Sequence, residues 1–305
     1  MPNEFGKLAP REILAQELLD DLKAMLFPIT AFTTKFSTEA IAFGQSVIAH
    51  VANAAAAQNF GDGAKDTGSK EVPVKLDRMR EIHETFTYAE LSSQSGRNVI
   101  RERYRPQLEA IAADIVSGIA SVITPENFPK ELVKAAVDFD YRHLVQVRKD
   151  ARKTGIRGSL GIVANGDAYA ELLSDDLIIN GQRDTKLDGV ITSGYIRPVA
   201  GFNSGIHEYP DLPETNNLVG FAASKAAIAV VTAPPHNPQE DGDGGVSFPG
   251  KFAYVTEPET GFTVALVEHI NPDTLKRSLR MIFQYGVAVG NADTGIRLVS
   301  APTGS

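Results

Sequence analysis

The chain has 305 residues, 43% of them hydrophobic and 22% charged, with a formal net charge of -8. That length suggests about two domains and is enough to bury a substantial core. The absence of cysteine excludes disulfides, thiolate metal sites and a cysteine nucleophile, and the acidic balance argues against a global electrostatic grip on nucleic acid.

The first residues do not read as a targeting segment, because Glu4, Glu12, Glu17, Asp20 and Asp21 interrupt them. No apolar run approaches the ~18 residues of a membrane span. A soluble, cytoplasmic product is expected. Residues 10–27 read as an amphipathic helix: Pro10 suits a first helical position, Leu14, Leu18, Leu22, Met25 and Leu26 recur at helical spacing, and Pro28 stops the pattern. Such a helix either faces its own core or forms an arm packed on another subunit.

Residues 44–91 differ in kind. Val47, Ile48 and Val51 lead into a stretch, Ala52 to Glu71, whose only large apolar side chain is Phe60. Val72, Val74 and Leu76 then alternate, followed by Phe86 and Tyr88. The pattern predicts a long hairpin whose far end projects away from the body, since such a tip has no core of its own.

Residues 97–123 predict the longest helix, with Leu108, Ile111, Ala112, Ile115, Val116 and Ile119 as one stripe. Pro106 either starts a new helix there or kinks this one. A second helix is expected over 131–154, ending at Gly155 with Arg148, Lys149, Arg152 and Lys153 in its last turns. Leu160 to Ala164 reads as a strand, and Asn165 as the cap of a helix running through Leu173. Strand-like pieces are expected around Ile196 to Ile206, and Ala222 to Val231 is either a small helix or a buried strand. Residues 234–250 form a loop rich in Pro, Gly and acid. Phe262, Val264 and Leu266, then Met281, Phe283, Tyr285, Val287 and Val289, alternate as antiparallel strands, with Asp293, Thr294 and Gly295 between two of them.

No persuasive catalytic constellation emerges. Residues 61–70, GDGAKDTGSK, miss the phosphate-loop spacing because Ser69 precedes Lys70. Gly155, Gly158 and Gly161 miss the dinucleotide spacing, and Ser204 in GFNSG misses the nucleophile elbow. His50, His83, His143, His207, His236 and His269 lie far apart and form no HExxH pair. Asp241 and Asp243 lack the later ligands of a calcium loop. Arg97, Arg101, Arg103 and Arg105, and a second basic set from Arg142 to Arg157, read as wet helix faces or partners of neighbouring acids. The expectation is therefore no catalytic, cofactor-binding or metal-binding residues. An arm, a projecting hairpin and one long helix fit poorly into one globule, and such elements satisfy their surfaces on other copies of the chain.

The order of these elements resembles the Hong Kong 97-like major capsid proteins of tailed bacteriophages over nearly the whole chain. GQSVIAHVANAAAAQ rising and EVPVKLDRMREIHETFTYAEL returning are similar to the family's extended loop, and GRNVIRERYRPQLEAIAADIVSGIASVI to its spine helix. DFDYRHLVQVRKDARKTG resembles a peripheral-domain helix; SLGIVANGDAYAELLSD and DGVITSGYIRPVAGFNSGIHEYPDLP resemble the axial domain; and GFTVALVEHINPDTLKRSLRMIFQYGVAVGNADTGIRLVS resembles the closing peripheral strands. The resemblance implies an α+β fold divided into an N-terminal arm (1–43), an extended hairpin loop (44–95), the spine helix and first part of the peripheral domain (96–164), an axial domain (165–250) and C-terminal peripheral strands (251–305).

It also implies a non-enzymatic shell subunit whose partners are other copies of itself in pentamers and hexamers, with scaffolding, portal and cement proteins as further partners. The shell would enclose DNA without reading its sequence, assemble in the host bacterial cytoplasm and end in the virion. Lys65, Lys70 and Lys75 lie where certain relatives crosslink, and are read as ordinary loop lysines. An encapsulin-like cellular shell is the alternative within this fold, and a cytosolic enzyme with an unrecognised site is the alternative outside it.

Overall fold

The structure, a computed structural model, describes residues 17, 19–21, 33–36, 43–51, 70–87, 89–90, 96–153, 155–156, 159–183, 196, 198–203, 205–209, 212, 217–236, 251–256 and 263–300. It has a mixed α/β architecture. In chain order the strands are β1 (Thr33–Phe36), β2 (Ser46–Val51), β3 (Lys70–Lys75), β4 (Arg78–Phe86), β5 (Glu131–Val133), β6 (Leu160–Ala164), β7 (Ile206–Glu208), β8 (Leu218–Ser224), β9 (Ile228–Ala233), β10 (Lys251–Thr256), β11 (Thr263–Asn271), β12 (Lys276–Val289) and β13 (Gly295–Val299). The helices are α1 (Gly96–Ala120), α2 (Tyr141–Lys153), α3 (Gly166–Ser174) and α4 (Asp176–Arg183).

The long strand β12 organises the larger, six-stranded sheet. Its first half is flanked by β11 (Ala265 opposite Ile282) and β4 (Ile82 opposite Met281); its second half pairs with β9 (Val230 opposite Val287). β10 extends the sheet beyond β11, and β1 pairs in parallel with β9. The alternation expected here is realised: Leu279, Met281, Phe283 and Tyr285 are buried on one face of β12. That face packs against the α1 stripe of Leu108, Ile111, Ala112, Ile115 and Ile119, joined by Leu19, Tyr104 and Phe86. The helix runs without a break through Pro106, which is exposed. The ring therefore neither starts nor ends the helix, and its missing donor faces water.

The opposite face is covered by the hairpin β2–β3, whose antiparallel register places Val47 opposite Val74 and Ala49 opposite Val72. The expected return strand is in fact two strands, split at Leu76 and Asp77: β3 stays with the hairpin, and β4 enters the large sheet. The described part of the hairpin does not stand away from the body. Ala49, Val51, Val72, Val74 and Leu76 pack on Ala229, Val231 and Ala233 of β9, and the Lys70 Nζ donates to the Gly290 carbonyl at 3.0 Å. Residues 52–69, which include the expected tip with Phe60 and Lys65, lie outside the described residues.

The second sheet has the order β5-β13-β8-β6-β7 and mixes parallel and antiparallel pairs. It is covered on both faces, so β6, β8 and β13 are buried at every position; strands in that situation lose the alternating pattern. One face meets Leu144, Val147 and Ala151 of α2 and Tyr169 and Leu172 of α3. The other, through Val163, Phe221 and Val299, continues the core beneath α1.

Several boundaries differ from expectation. The helix predicted over 131–154 starts only at Tyr141. Glu131–Val133 is drawn into the sheet beside β13, a 3-10 turn (Ala136–Asp138) follows, and the Asp140 carboxylate accepts from the His143 amide at 2.8 Å. Its end is as expected: Gly155 has φ +84 and the Ile156 amide closes on the Ala151 carbonyl. Asn165 caps α3, accepting from the Ala168 amide at 3.0 Å, whereas α4 was not anticipated. Among the described residues around 196–206 the expected strand pieces are turns, with Ala200 and Gly201 at positive φ, and of these only Ile206, within Ile206–Glu208, pairs as a strand. Residues 222–231 are neither one helix nor one strand: β8 ends at Ser224, the chain turns, and β9 starts at Ile228 in the other sheet. Of the helix expected over 10–27, residues 17 and 19–21 are described, and they are helical. Leu19, which the predicted stripe omitted, is buried in the main core, and β1 is paired to β9. The described parts of the first 43 residues thus lie on their own chain.

His143 offers a pH test of this packing. It is buried against the Phe139 ring, 4.6 Å between centroids, and among the described residues its Nε2 has no hydrogen-bond partner. Burial, helped by Lys134 and opposed by Asp140, lowers its pKa from the usual 6.5 to about 4. Between those values the unfolded chain binds more protons than the folded one, so stability falls as pH drops through that window and is fully present above it. Urea denaturation at pH 7 and pH 4.5 should show this loss, and His143→Phe should reduce it. An unchanged pH dependence in the variant would assign the loss to other groups.

Candidate functional site

Three polar clusters tie the elements together. Beneath α1, Arg80 grips Asp114 through two hydrogen bonds, Nε to Oδ2 at 2.7 Å and Nη2 to Oδ1 at 2.8 Å. The Tyr285 hydroxyl donates to the Asp114 side chain and to its carbonyl oxygen, and Arg78 lies over the Tyr285 ring at 5.6 Å. Burial raises the Asp114 pKa, but the bonds from Arg80 and Tyr285 outweigh it and hold the carboxyl below its usual range. The Tyr285 hydroxyl is pushed up to about 12, chiefly by burial. An ionised, fully bonded carboxylate beside a protonated phenol is a clasp between α1, β4 and β12, with no activated nucleophile or base in it.

The second cluster centres on Arg297, almost wholly buried in β13. It donates to the Phe128 carbonyl at 2.8 Å and to Glu131 at 2.6 Å, fixing the connection after α1 onto the smaller sheet. In the third, Arg103 pairs with Glu90 and approaches Glu84 at 4.0 Å, while Arg105 pairs with Glu109 one helical turn on. These two of the four arginines from 97 to 105 thus meet acids of their own chain. The side chains of Arg97 and Arg101 lie outside the described residues. Sequence reading missed Arg297 and the Asp114 clasp because their partners are more than thirty residues away.

The histidines remain dispersed. His83 Nε2 meets the Ser278 hydroxyl at 2.7 Å, His143 and His207 are buried in separate surroundings, and His50 and His236 are exposed. Among the described residues no three His, Asp or Glu side chains are grouped to hold a metal, and no helix is long and apolar enough to cross a membrane. Gly158, Ser204, Asp241 and Asp243 lie outside the described residues, while Gly155 serves the end of α2 and Gly161 is buried in β6. Lys70 is engaged with Gly290, and Lys75 ends β3.

What remains unsatisfied is surface. Large apolar side chains are exposed at Phe43 and Met79 beside the hairpin, at Val133, Val137, Val145 and Leu177 around the smaller sheet's helices, and at Ile270 and Leu275 at the β11–β12 turn.

No family model matches the sequence, and no curated protein is significantly similar to it. Solved structures do match. The virus-like particle from Pyrococcus furiosus is 15% identical, with a TM-score of 0.51 over 92% of this chain and 95% of that one. The chain has the fold of that particle's subunit. This capsid-type fold agrees with the resemblance drawn from element order. The capsid of the cyanophage P-SCSP1u is 15% identical at a TM-score of 0.49, over 90% of this chain and 87% of that one. The capsid of an empty GTA particle is 10% identical at 0.49, over 91% and 90%.

Proposed function

We propose that this chain is the structural subunit of an icosahedral head enclosing a phage double-stranded DNA genome, with no chemistry of its own. The observation that carries the shell part of this reading is the likeness to the virus-like-particle chain over nearly the full length of both; the phage genome as its contents comes from the element-order resemblance. The exposed apolar groups support it, since neighbouring copies would cover them. The clasp at Asp114 and the buried Arg297 suit a rigid building block.

In the Hong Kong 97-like scheme, residues 1–43 act as the arm, 44–95 as the extended hairpin loop and α1 as the spine helix. The peripheral body is the six-stranded sheet with α1. The axial body is the five-stranded sheet with α3 and α4, joined by α2, which element order assigns to the peripheral domain and which packs on this sheet. Segments 165–250 and 251–305 each contribute strands to both sheets, because β8 and β13 lie in one and β9 and β12 in the other, while 96–164 gives α1 to one body and β5 and β6 to the other. Copies associate as pentamers and hexamers, scaffolding, portal and cement proteins act alongside them, and the subunit is made in the host cytoplasm and ends in the virion. An encapsulin-like shell shares this assembly and differs in its contents; nuclease-protected DNA inside the particles separates the two.

Replacing residues 54–69 by a short Gly-Ser turn tests the role of the loop. Shortening a connection changes closure entropy only modestly, and β2, β3 and the Lys70 contact are retained. Sedimentation should show large particles or capsomers for the wild type and a folded, small species for the variant. Shells of normal size and stability from the variant would remove the loop from the assembly mechanism.

A further inference from the structure

The strongest uncompensated feature of the surface is a division of charge across the helical layer of the smaller sheet. The exposed side of α2 carries Arg142, Arg148, Lys149 and Lys153, with Val145 exposed among them, while His143, Leu144, Val147 and Ala151 face the core. At 100° per residue Arg142, Lys149 and Lys153 fall on the side opposite the buried set, while Arg148 lies at its flank with its guanidinium against Gly201. Among the described residues none of the four is in an ion pair. The neighbouring 3-10 turn, α3 and α4 touch one another and carry the opposite sign: Asp138, Asp167, Glu171 and Asp176 are all exposed and likewise outside any ion pair among the described residues. Val137 and Leu177 are exposed beside them. By contrast, Asp140 and Asp175, in the same region, are used internally, on the amides of His143 and Tyr141.

One layer of one subunit thus presents a basic surface with an apolar centre and an acidic surface with apolar centres, and does not neutralise them within the chain. A basic face alone would suit any polyanion. The matching acidic face, of similar charge count and on the same layer, is what a second copy supplies. Resting on the proposed shell function, we infer that the basic face of α2 in one copy docks on the acidic face formed by the 3-10 turn, α3 and α4 of the next copy. Such a contact is head-to-tail rather than self-complementary, so it repeats around a ring and leaves no unpaired face on closure. Opposite charges set partner choice and register, and Val145 meets the apolar groups at the centre. The contact weakens with salt because its charges are rim charges.

Charge reversal with mixing tests this. Arg142→Glu with Lys149→Glu puts two negative charges into the α2 face of one subunit and cancels its net charge; Asp138→Lys with Glu171→Lys does the converse to the acidic face of another, so that like charges meet at the substituted positions. All four positions are exposed, so both variants should keep the wild-type circular dichroism and melting temperature. In sedimentation velocity each variant alone should associate at least tenfold more weakly than the wild type, because like charges then face each other. An equimolar mixture should recover association, since copies can alternate with every contact complementary. Neutral variants, Arg142→Gln with Lys149→Gln and Asp138→Asn with Glu171→Gln, keep the test open if a reversal impairs folding, and each should show an intermediate loss.

Variants that assemble like the wild type, or a mixture that recovers nothing, overturn the inference. So does a result in which only the α2 variant has an effect and that effect is lost binding to duplex DNA. A wild-type chain that never associates sinks the shell reading itself and is thereby told apart from these outcomes.

Discussion

Replacing Gly286 with valine is expected to lift the β2–β3 hairpin from the large sheet. Gly286 lies in β12 opposite Val231, on the face the hairpin covers. A Cβ there would sit 2.0 Å from the Lys75 carbonyl oxygen and 3.1 Å from a Val74 methyl. The obstruction is backbone, which cannot swing aside as a flexible side chain can. Overpacking of this kind costs about 1–3 kcal/mol, occasionally more, and here the chain has a cheaper route than global strain: the hairpin can detach. The α1 core, on the opposite face, should survive. Hydrogen exchange should accelerate across 46–51 and 70–75 while 276–285 stays protected, and limited proteolysis should gain a site near Asp77. Equal protection of the hairpin in variant and wild type would show that it does not rest on Gly286. Because the hairpin is an assembly element in the proposed function, the same variant should be folded yet poor at making particles.

The second large effect is expected on α1. Leu108 is fully buried and Ile115 almost so, both facing the sheet. Truncating either to alanine removes methylenes that this well-packed interface cannot replace, at about 2–5 kcal/mol each. Pro106 is predicted to act with the opposite sign. It sits inside the helix, exposed, and denies the Glu102 carbonyl its helical donor. Pro106→Ala restores that bond on a helix already held by its buried stripe, so the melting temperature should rise. Chemical denaturation of the three variants decides this. A fully stable Leu108→Ala would mean that the buried face is misassigned, and a destabilised Pro106→Ala would mean that the proline ring itself contributes to the stability of α1.

Much of this fold was legible because its signals are local. The α1 stripe is a 3.6-residue repeat, the β11 and β12 alternation a two-residue repeat, and Asn165 a cap with its target amide three residues away. What escaped was set by distant parts of the chain. β8 and β9 are buried on both faces, so Leu218 to Ala233 has no period to distinguish strand from helix, and nothing local says that the two strands serve different sheets. Glu131–Val133 becomes a strand only because β13 lies beside it. The hairpin lies down because Ala229, Val231, Ala233 and Gly286 leave space for it, and an apolar-poor tip gives no hint of that. The candidate surfaces were half visible. The basic run of α2 is plain in the sequence, but which of its cations stand outside any ion pair among the described residues, and the acidic counterpart, appear only when the elements are in place.

Negative-stain electron microscopy of the purified wild-type chain, across a concentration series, tests the central claim most directly. Uniform closed shells, or capsomers that close into shells on concentration, are the predicted result. A monomer at every concentration, or a small discrete oligomer that turns over a ligand, would contradict it.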